Sequence, residues 1–353
     1  ALGQRLAVRV READGQTGIR AAFGADRVAE APPASGLVLT GSTPMLDALP
    51  WITLLRGDGK GASLPLRRID VRTDRLVLLG GAFEATSIRV LPATAGALAV
   101  QLDGPALAGS LLVPDGEGGA IAGRLQRLHW RSARAPTRNG LPAPPTAATA
   151  ADAAAGDGAI NPANVPAIQL RVDDLRVAGA TLGDTVLGTR PTAAGMEILR
   201  LQTRAPKRRL DLTGAWTGVG AGARTRLDAT VASDDFGQLL TELGLGGRVE
   251  DGKGSVRFAA SWQGSPMEFA LASLDGELVV DVRDGQLVEV EPGAGRVLGL
   301  FSLAQLPRRL MLDFGDFVNK GFAFNTLGGK VRFADGSARS DDLAINGPAA
   351  TIT

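Results

Sequence analysis

The chain has 353 residues, with 38 Lys and Arg against 37 Asp and Glu, so it lacks the basic surplus that a nucleic-acid binder needs. It has no Cys and one His, which excludes a disulfide framework, a thiolate metal site and a Cys nucleophile. The sequence has no serine in a nucleophile-elbow motif that His129 could activate. We therefore expect His129 to be a surface or edge histidine, and we expect no catalytic residue, metal or cofactor.

The first segment, residues 1–134, is predicted to form β-strands with one apolar and one polar face. Leu6, Val8 and Val10 alternate with Ala7, Arg9 and Arg11, and Ile69 and Val71 alternate with charged residues in the same way. A period of two is typical of a half-buried strand. The dipeptides that lie between such runs predict antiparallel hairpins, because Gly and Asp accept a positive φ. They are Asp14-Gly15, Asp115-Gly116, Asp251-Gly252, Asp275-Gly276, Asp284-Gly285 and Asp335-Gly336.

Three short helices are predicted among the strands. Thr43 can cap a helix that has Pro44 at its first position and ends at Pro50. The second covers 235–243, where Asp234 or Asp235 is the cap, and the third covers 293–306. In the second helix, Phe236, Leu239, Leu240 and Leu243 share a face.

Residues 135–167 differ from the rest of the chain. They are rich in Ala, Pro, Thr and Gly and almost lack large apolar side chains, which predicts a flexible linker or surface loop. The linker separates the first segment from a second β segment, residues 168–353. The basic cluster Lys207-Arg208-Arg209 in the second segment is interpreted as a solvated strand end, with contact to anionic headgroups as the alternative.

The pattern predicts a mainly β fold built on a long antiparallel sheet. Parallel strands would need repeated crossover helices, and the sequence lacks them. The three predicted helices are too few to cover the apolar side of the sheet. From the residues alone, that side could be the core of a sandwich or solenoid, or the lining of an open groove.

The second half resembles the C-terminal region of the AsmA-like, YhdP-type family. The resemblance rests mainly on the run from Gly293 to Leu310 and on Gly321-Phe322-Ala323-Phe324. Further matching motifs are Gly214-Ala215-Trp216, Asp235-Phe236-Gly237, Ser261-Trp262-Gln263-Gly264, Leu274-Asp275-Gly276-Glu277-Leu278, Asp284-Gly285-Gln286-Leu287 and Gly347-Pro348-Ala349-Ala350.

This resemblance implies a long, curved antiparallel sheet that forms an elongated hydrophobic groove without a catalytic centre. It implies non-enzymatic transport of phospholipids from the inner to the outer membrane, with acyl chains as the bound partner. It also implies a periplasmic location and an inner-membrane anchor, which we expect outside this chain, as we do contacts with both membranes.

The candidate lipid-contacting residues are the apolar positions that alternate along the strands of the second segment. They are Leu210, Leu212, Trp216, Leu227, Val231, Val256, Phe258, Trp262, Phe269, Leu271, Leu278, Val280, Val282, Leu312, Phe314, Phe322 and Phe324.

Two other functions are compatible with the pattern. One is a β-rich scaffold that assists outer-membrane protein assembly by pairing at a sheet edge. The other is an enzyme acting on polysaccharide, which the low aromatic content of 4% and the absence of a carboxylate cluster argue against.

Overall fold

A computed structural model describes residues 5–48, 65–78, 81–115, 118–131, 161–177, 179–243, 249–266, 273–288, 322–348 and 351–352. These residues form strands almost throughout, and the strands belong to a sheet of 19 strands. The predicted mainly β fold is therefore confirmed.

The first nine strands are β1 Leu6–Ala13, β2 Gln16–Phe23, β3 Gly36–Asp47, β4 Leu66–Leu78, β5 Gly81–Pro92, β6 Leu98–Asp103, β7 Leu107–Val113, β8 Ile121–Trp130 and β9 Ile168–Val177. The others are β10 Ala180–Thr192, β11 Gly195–Ala205, β12 Arg208–Thr217, β13 Arg224–Ser233, β14 Val249–Gln263, β15 Asp275–Leu287, β16 Phe322–Ala334, β17 Ser337–Arg339, β18 Ala344–Asn346 and β19 Thr351–Ile352. Helix α1 covers Phe236–Glu242, and 3₁₀ turns cover Thr94–Gly96, Pro162–Asn164 and Gly220–Gly222.

Most paired strands are antiparallel, as predicted, but three pairs are parallel. They are β2 with β3, β3 with β4, and β8 with β9. Residues 24–35, which join the parallel strands β2 and β3, contain no helix, so the expectation that parallel pairs need crossover helices is wrong for this pair. A parallel neighbour requires only that the chain return along the full strand length, and the connection from residue 131 to 167 is long enough to do so.

The chain divides into two compact units. The first unit contains Ala1–Ala154 and Pro166–Ala178, and the second contains Ala155–Val165 and Gly179–Thr353. Strand β9, which the sequence analysis assigned to the second segment, therefore belongs to the first unit. The predicted linker lies mostly outside the described residues.

Two of the six predicted turns close tight hairpins. Asp14 and Gly15 join β1 to β2 with φ of 52° and 70°, and Asp335 and Gly336 join β16 to β17 with φ of 51° and 68°. Asp115 follows β7 in the connection to β8, although Gly116 lies outside the described residues.

The other three dipeptides do not form turns, and their prediction as hairpins is wrong. Asp251-Gly252 lies inside β14, while Asp275-Gly276 and Asp284-Gly285 lie inside β15. Asp251 and Asp284 do have positive φ, 57° and 54°. The dipeptide thus identified the backbone conformation, but the chain uses that conformation to bend a strand and not to reverse it.

These bends belong to a feature that recurs along the sheet, which we call a strand step. In a strand step, two consecutive residues face outward between two inward-facing residues, so the alternation slips by one. In β4, Thr73 and Leu76 are buried around exposed Asp74 and Arg75. The steps of β4 and β5 coincide. The partners of Thr73 and Leu76 are Thr86 and Phe83, which flank the step in β5.

The helix predictions have different outcomes. Strand β3 runs to Asp47, so the predicted helix start at Thr43 and Pro44 is wrong. Thr43 is buried in the strand, and its hydroxyl donates to the Met45 carbonyl at 3.0 Å. The second helix is confirmed as α1, capped by Asp235, whose carboxylate accepts from the Gln238 N–H at 2.8 Å. Leu243, however, is 43% exposed and does not share the buried face. The third helix lies outside the described residues.

Candidate functional site

The second unit has an apolar face built from aligned rows of side chains. One row crosses six strands in exact register, and a second row lies two residues further along each strand. Because both rows are offset by two residues, they lie on the same side of the sheet. The first row is Leu201, Leu212, Ala229, Phe258, Leu278 and Val331, and the second is Leu210, Val231, Val256 and Val280.

The structure brings most of the predicted candidates together on this apolar face. Beyond the two rows, it carries Trp216, Leu227 and Trp262 towards one end and Val282, Phe322 and Phe324 towards the other. Phe269, Leu271, Leu312 and Phe314 lie outside the described residues. Shared alternation was therefore sufficient to group side chains that are far apart in the chain.

Burial varies along the apolar face. At one end, Trp262, Leu274, Val331 and Phe333 form a buried cluster. At the other end, Phe236 and Leu239 of α1 pack with Val282, Phe322 and Phe324. Leu212, Phe258 and Leu278 are only half-buried, and Phe258 and Leu278 pack against the cluster at the Trp262 end. Among the described helices and turns, α1 and the turn Pro162–Asn164 pack most extensively on the second unit's strands.

The first unit carries an equivalent apolar row, which the candidate list omitted. Its nine strands align Val8, Ala21, Leu39, Ile69, Val90, Val100, Leu111, Gly123 and Leu170. Leu39, Ile69 and Val90 are at most 6% exposed, whereas Val8 on β1 is 55% exposed. The alternation at Leu6, Val8 and Ile69 was visible in the sequence and could have identified this row.

The opposite side of the second unit is a polar face. Here charges pair along and across strands. Arg209 Nε donates to the Asp211 carboxylate at 2.8 Å, and this hydrogen bond holds the pKa of Asp211 below its usual value. Lys330 and Arg332 both lie near Glu277, at 3.9 and 4.0 Å. The sheet of the second unit thus has one polar face and one apolar face.

One charged pair lies on the apolar side. Arg208 follows the parity of Leu210 and Leu212, and its side chain is only 8% exposed. It makes two hydrogen bonds to Glu242 at the end of α1, at 2.6 and 3.1 Å. The Thr181 N–H also donates to Glu242 at 3.2 Å. These hydrogen bonds, led by those from Arg208, lower the pKa of Glu242.

This contact corrects the interpretation of the basic cluster at 207–209. Arg208 is not solvated, because it is buried against α1. Arg209 belongs to the polar face, and Lys207 lies 4.0 Å from Asp235. A pattern of three consecutive cations could not reveal that their side chains point to opposite sides of the strand.

His129 occupies an interior strand, so the edge position is wrong, although its side chain is 25% exposed. Strand β8 lies between β7 and β9, and His129 Nε2 contacts the Asp174 carboxylate at 2.7 Å. Burial of Asp174 acts to raise its pKa, but hydrogen bonds from Arg176 and His129 outweigh it and lower the pKa. Across the described residues, no three His, Asp or Glu side chains cluster as metal ligands. None of the described helices is long and apolar enough to span a bilayer.

Comparison with known proteins places these features in a family. A family model described as "YhdP protein" matches residues 1–353 of the chain. The intermembrane phospholipid transporter YhdP of Escherichia coli (strain K12) is 26% identical over 145 residues, 41% of this chain. The match spans only 12% of the length of that relative. No solved structure matches the chain.

Proposed function

Because the chain belongs to the YhdP family over its whole length, we propose that it is a non-enzymatic segment of a phospholipid conduit in the periplasm. In this proposal the apolar face of each unit lines a groove that holds acyl chains. The headgroups stay in water at the opening of the groove. The protein carries phospholipid from the inner to the outer membrane and so supports outer-membrane integrity.

The observation that carries the proposal is the run of apolar rows in register across strand after strand. The rows cross nine strands in the first unit and six in the second. A core that serves only folding needs buried apolar residues, but it does not need half-buried ones in the middle of a wide sheet. Leu212, Phe258 and Leu278 are half-buried in this way, although Phe258 and Leu278 also pack against the Trp262 cluster.

The physical advantage of such a face follows from the cost of exposing lipid to water. Each acyl CH₂ transferred out of water is worth ~0.8 kcal/mol, so a two-chain phospholipid in water carries a penalty on the order of tens of kcal/mol. A continuous row of Leu, Val and Phe lowers that penalty at every position by a similar amount. A lipid can therefore slide along the row without being trapped at one site.

One observation favours the scaffold alternative. Strand β1 pairs with β2, and no other described strand pairs with it. Its residues Leu6, Val8 and Val10 are 50–55% exposed. An open apolar edge can accept a strand of another polypeptide. A scaffold would use this edge, whereas a conduit uses the middle of the sheet, so the location of the ligand distinguishes the two functions.

Photocrosslinking tests the proposal directly. The chain is mixed with vesicles that contain phosphatidylethanolamine carrying a diazirine in its acyl chain, and labelled residues are mapped by mass spectrometry. We expect labelling at Phe258 and Leu278 on the apolar face, and little at their neighbours Arg257 and Val279 on the polar face. Equal labelling of both faces, or labelling confined to β1, would contradict the conduit.

A further inference from the structure

Helix α1 lies within a connection that is far longer than a hairpin requires. Strands β13 and β14 are antiparallel neighbours, yet residues 234–248 separate them. Antiparallel neighbours are usually joined by two to five residues, and loops of this length commonly have a function. The position of α1 on the apolar face indicates what that function is.

Helix α1 places hydrocarbon where the apolar face would otherwise be open. Phe236 and Leu239 are each 6% exposed and pack with Val282 and Phe324. A Cβ added to Gly252 would lie 3.9 Å from the Cβ of Phe236 and 3.0 Å from a methyl group of Val282. Val256 and Val280, which belong to the second row, pack against the same cluster. The helix therefore covers the end of a row whose members Val256 and Val280 are themselves only half-buried.

The helix is held there by a polar contact as well as by its two apolar side chains. Glu242, its last residue, accepts hydrogen bonds from Arg208, from the Thr181 N–H and from Gln238. These partners belong to β12, β10 and α1 itself, so one carboxylate joins the helix to two strands. Its Arg208 partner is almost fully buried on the apolar side.

We propose that α1 is a displaceable cover over an acyl-chain-binding surface formed by Val282, Phe324 and their neighbours, with the Arg208–Glu242 pair as its latch. Phe236 and Leu239 occupy the positions that an acyl chain takes when the helix moves away. The surface beneath the helix continues the rows of the apolar face, so the inference rests on the proposed function. Helix α1 thereby sets how far along this unit a lipid can advance.

The test uses the same diazirine phosphatidylethanolamine vesicles and compares residues in the open and covered parts of the face. In the unaltered chain, Phe258 and Leu278 are labelled, and Val282 and Phe324 are labelled weakly. Glu242→Gln keeps the side-chain shape but removes the charge of the latch. We expect it to raise labelling of Val282 and Phe324 about fivefold, since loss of about 1 kcal/mol from one charged contact raises the ratio of open to closed states by about that factor.

Two further variants separate the latch from general effects. Glu197→Gln removes the same charge from the Arg190–Glu197 pair, which lies at 2.5 Å on the polar face, and should change nothing under α1. Arg208→Gln removes the other charge of the latch and should raise labelling of Val282 and Phe324 as Glu242→Gln does. Circular dichroism confirms that each variant is folded.

The outcomes distinguish the cover from the conduit. If Phe258 and Leu278 are labelled but Glu242→Gln leaves Val282 and Phe324 unchanged, the cover is refuted and the conduit stands. Strong labelling of Val282 in the unaltered chain, or an Arg208→Gln variant in which that labelling does not rise, also refutes the cover. The absence of labelling anywhere on the apolar face refutes both.

Discussion

Val280 is the residue whose position most sharply separates a lining from a core. It lies in the second row between Val256 and Gly329, is half-buried, and borders the cluster that α1 covers. If acyl chains pass over it, Val280→Asp places a carboxylate beside hydrocarbon, which costs several kcal/mol for the lipid. We expect the variant to fold, as judged by circular dichroism, but to lose lipid labelling and the ability to restore envelope integrity.

The neighbouring valine provides a matched control. Val279 lies on the same strand, is also half-buried and pairs with Arg257 and Lys330 on the polar face. Val279→Asp should leave lipid labelling and envelope integrity intact. If Val280→Asp unfolds the unit while Val279→Asp does not, the apolar face is a closed core. Equal function of both variants would count against a lipid path.

The lowered pKa of Glu242 predicts that the stability of the chain decreases at acid pH. Its pKa is lowered in the folded chain by Arg208, so its contribution is present above the unfolded value near 4.5 and is lost as pH falls through the folded value. At pH 7 we expect Glu242→Gln to destabilise the chain by about 1–2 kcal/mol. Urea titrations at pH 7 and pH 3 measure this. The difference between the unaltered chain and the variant should shrink at pH 3, and a constant difference would exclude the charge as its cause.

At the level of elements, the strand steps have a conformational cost that can be measured. Ala85 lies at the step in β5 with φ of 47°, a conformation that costs a non-glycine residue about 1 kcal/mol. Ala85→Gly should therefore be neutral or stabilise by up to about 1 kcal/mol, even though glycine weakens ordinary strand positions. Ala82→Gly, on the same strand outside the step, should destabilise by ~1 kcal/mol. Thermal denaturation gives the two signs, and equal losses would show that the step is unstrained.

The sequence predicted strand identity well and strand bending poorly. Alternation at positions such as Leu210 and Leu212 depends only on which side of the strand is wet, so it survives without knowledge of the partners. A step depends on two neighbouring strands slipping together, as Val282 and Gly285 do opposite Leu327 and Phe324. Because the sequence of one strand does not show how the neighbouring strand pairs with it, Asp284-Gly285 was interpreted as a turn.

For helix α1, the local features were predicted from the sequence and the long-range contacts were not. Its cap at Asp235 and its apolar pair Phe236 and Leu239 were readable, because capping and helical spacing are local. Its packing on Val282 and its contact with Arg208 were not, because they join residues from distant strands. The predicted helix start at Thr43 and Pro44 was wrong for a related reason. Their local preference for a helix start was overridden by pairing of β3 with β4.

At the level of the whole chain, the parallel pairing of β8 and β9 sets a minimum length for the connection between these two strands. The connection must return along a ten-residue strand, or ~33 Å. Deletion of 135–158 leaves thirteen connecting residues, which can span about 43 Å. We expect thermal stability to change little. A deletion of 132–166 leaves too few residues and should prevent the pair from forming. A loss of several kcal/mol in the shorter deletion would show that the linker has a structural role.

Binding of phospholipid to the apolar face can be detected by native mass spectrometry of the chain purified without detergent. We expect co-purifying phospholipid on the unaltered chain and on Val279→Asp, and a marked loss of that lipid from folded Val280→Asp. A lipid-free unaltered chain, or the same amount of phospholipid on folded Val280→Asp as on Val279→Asp, would contradict it.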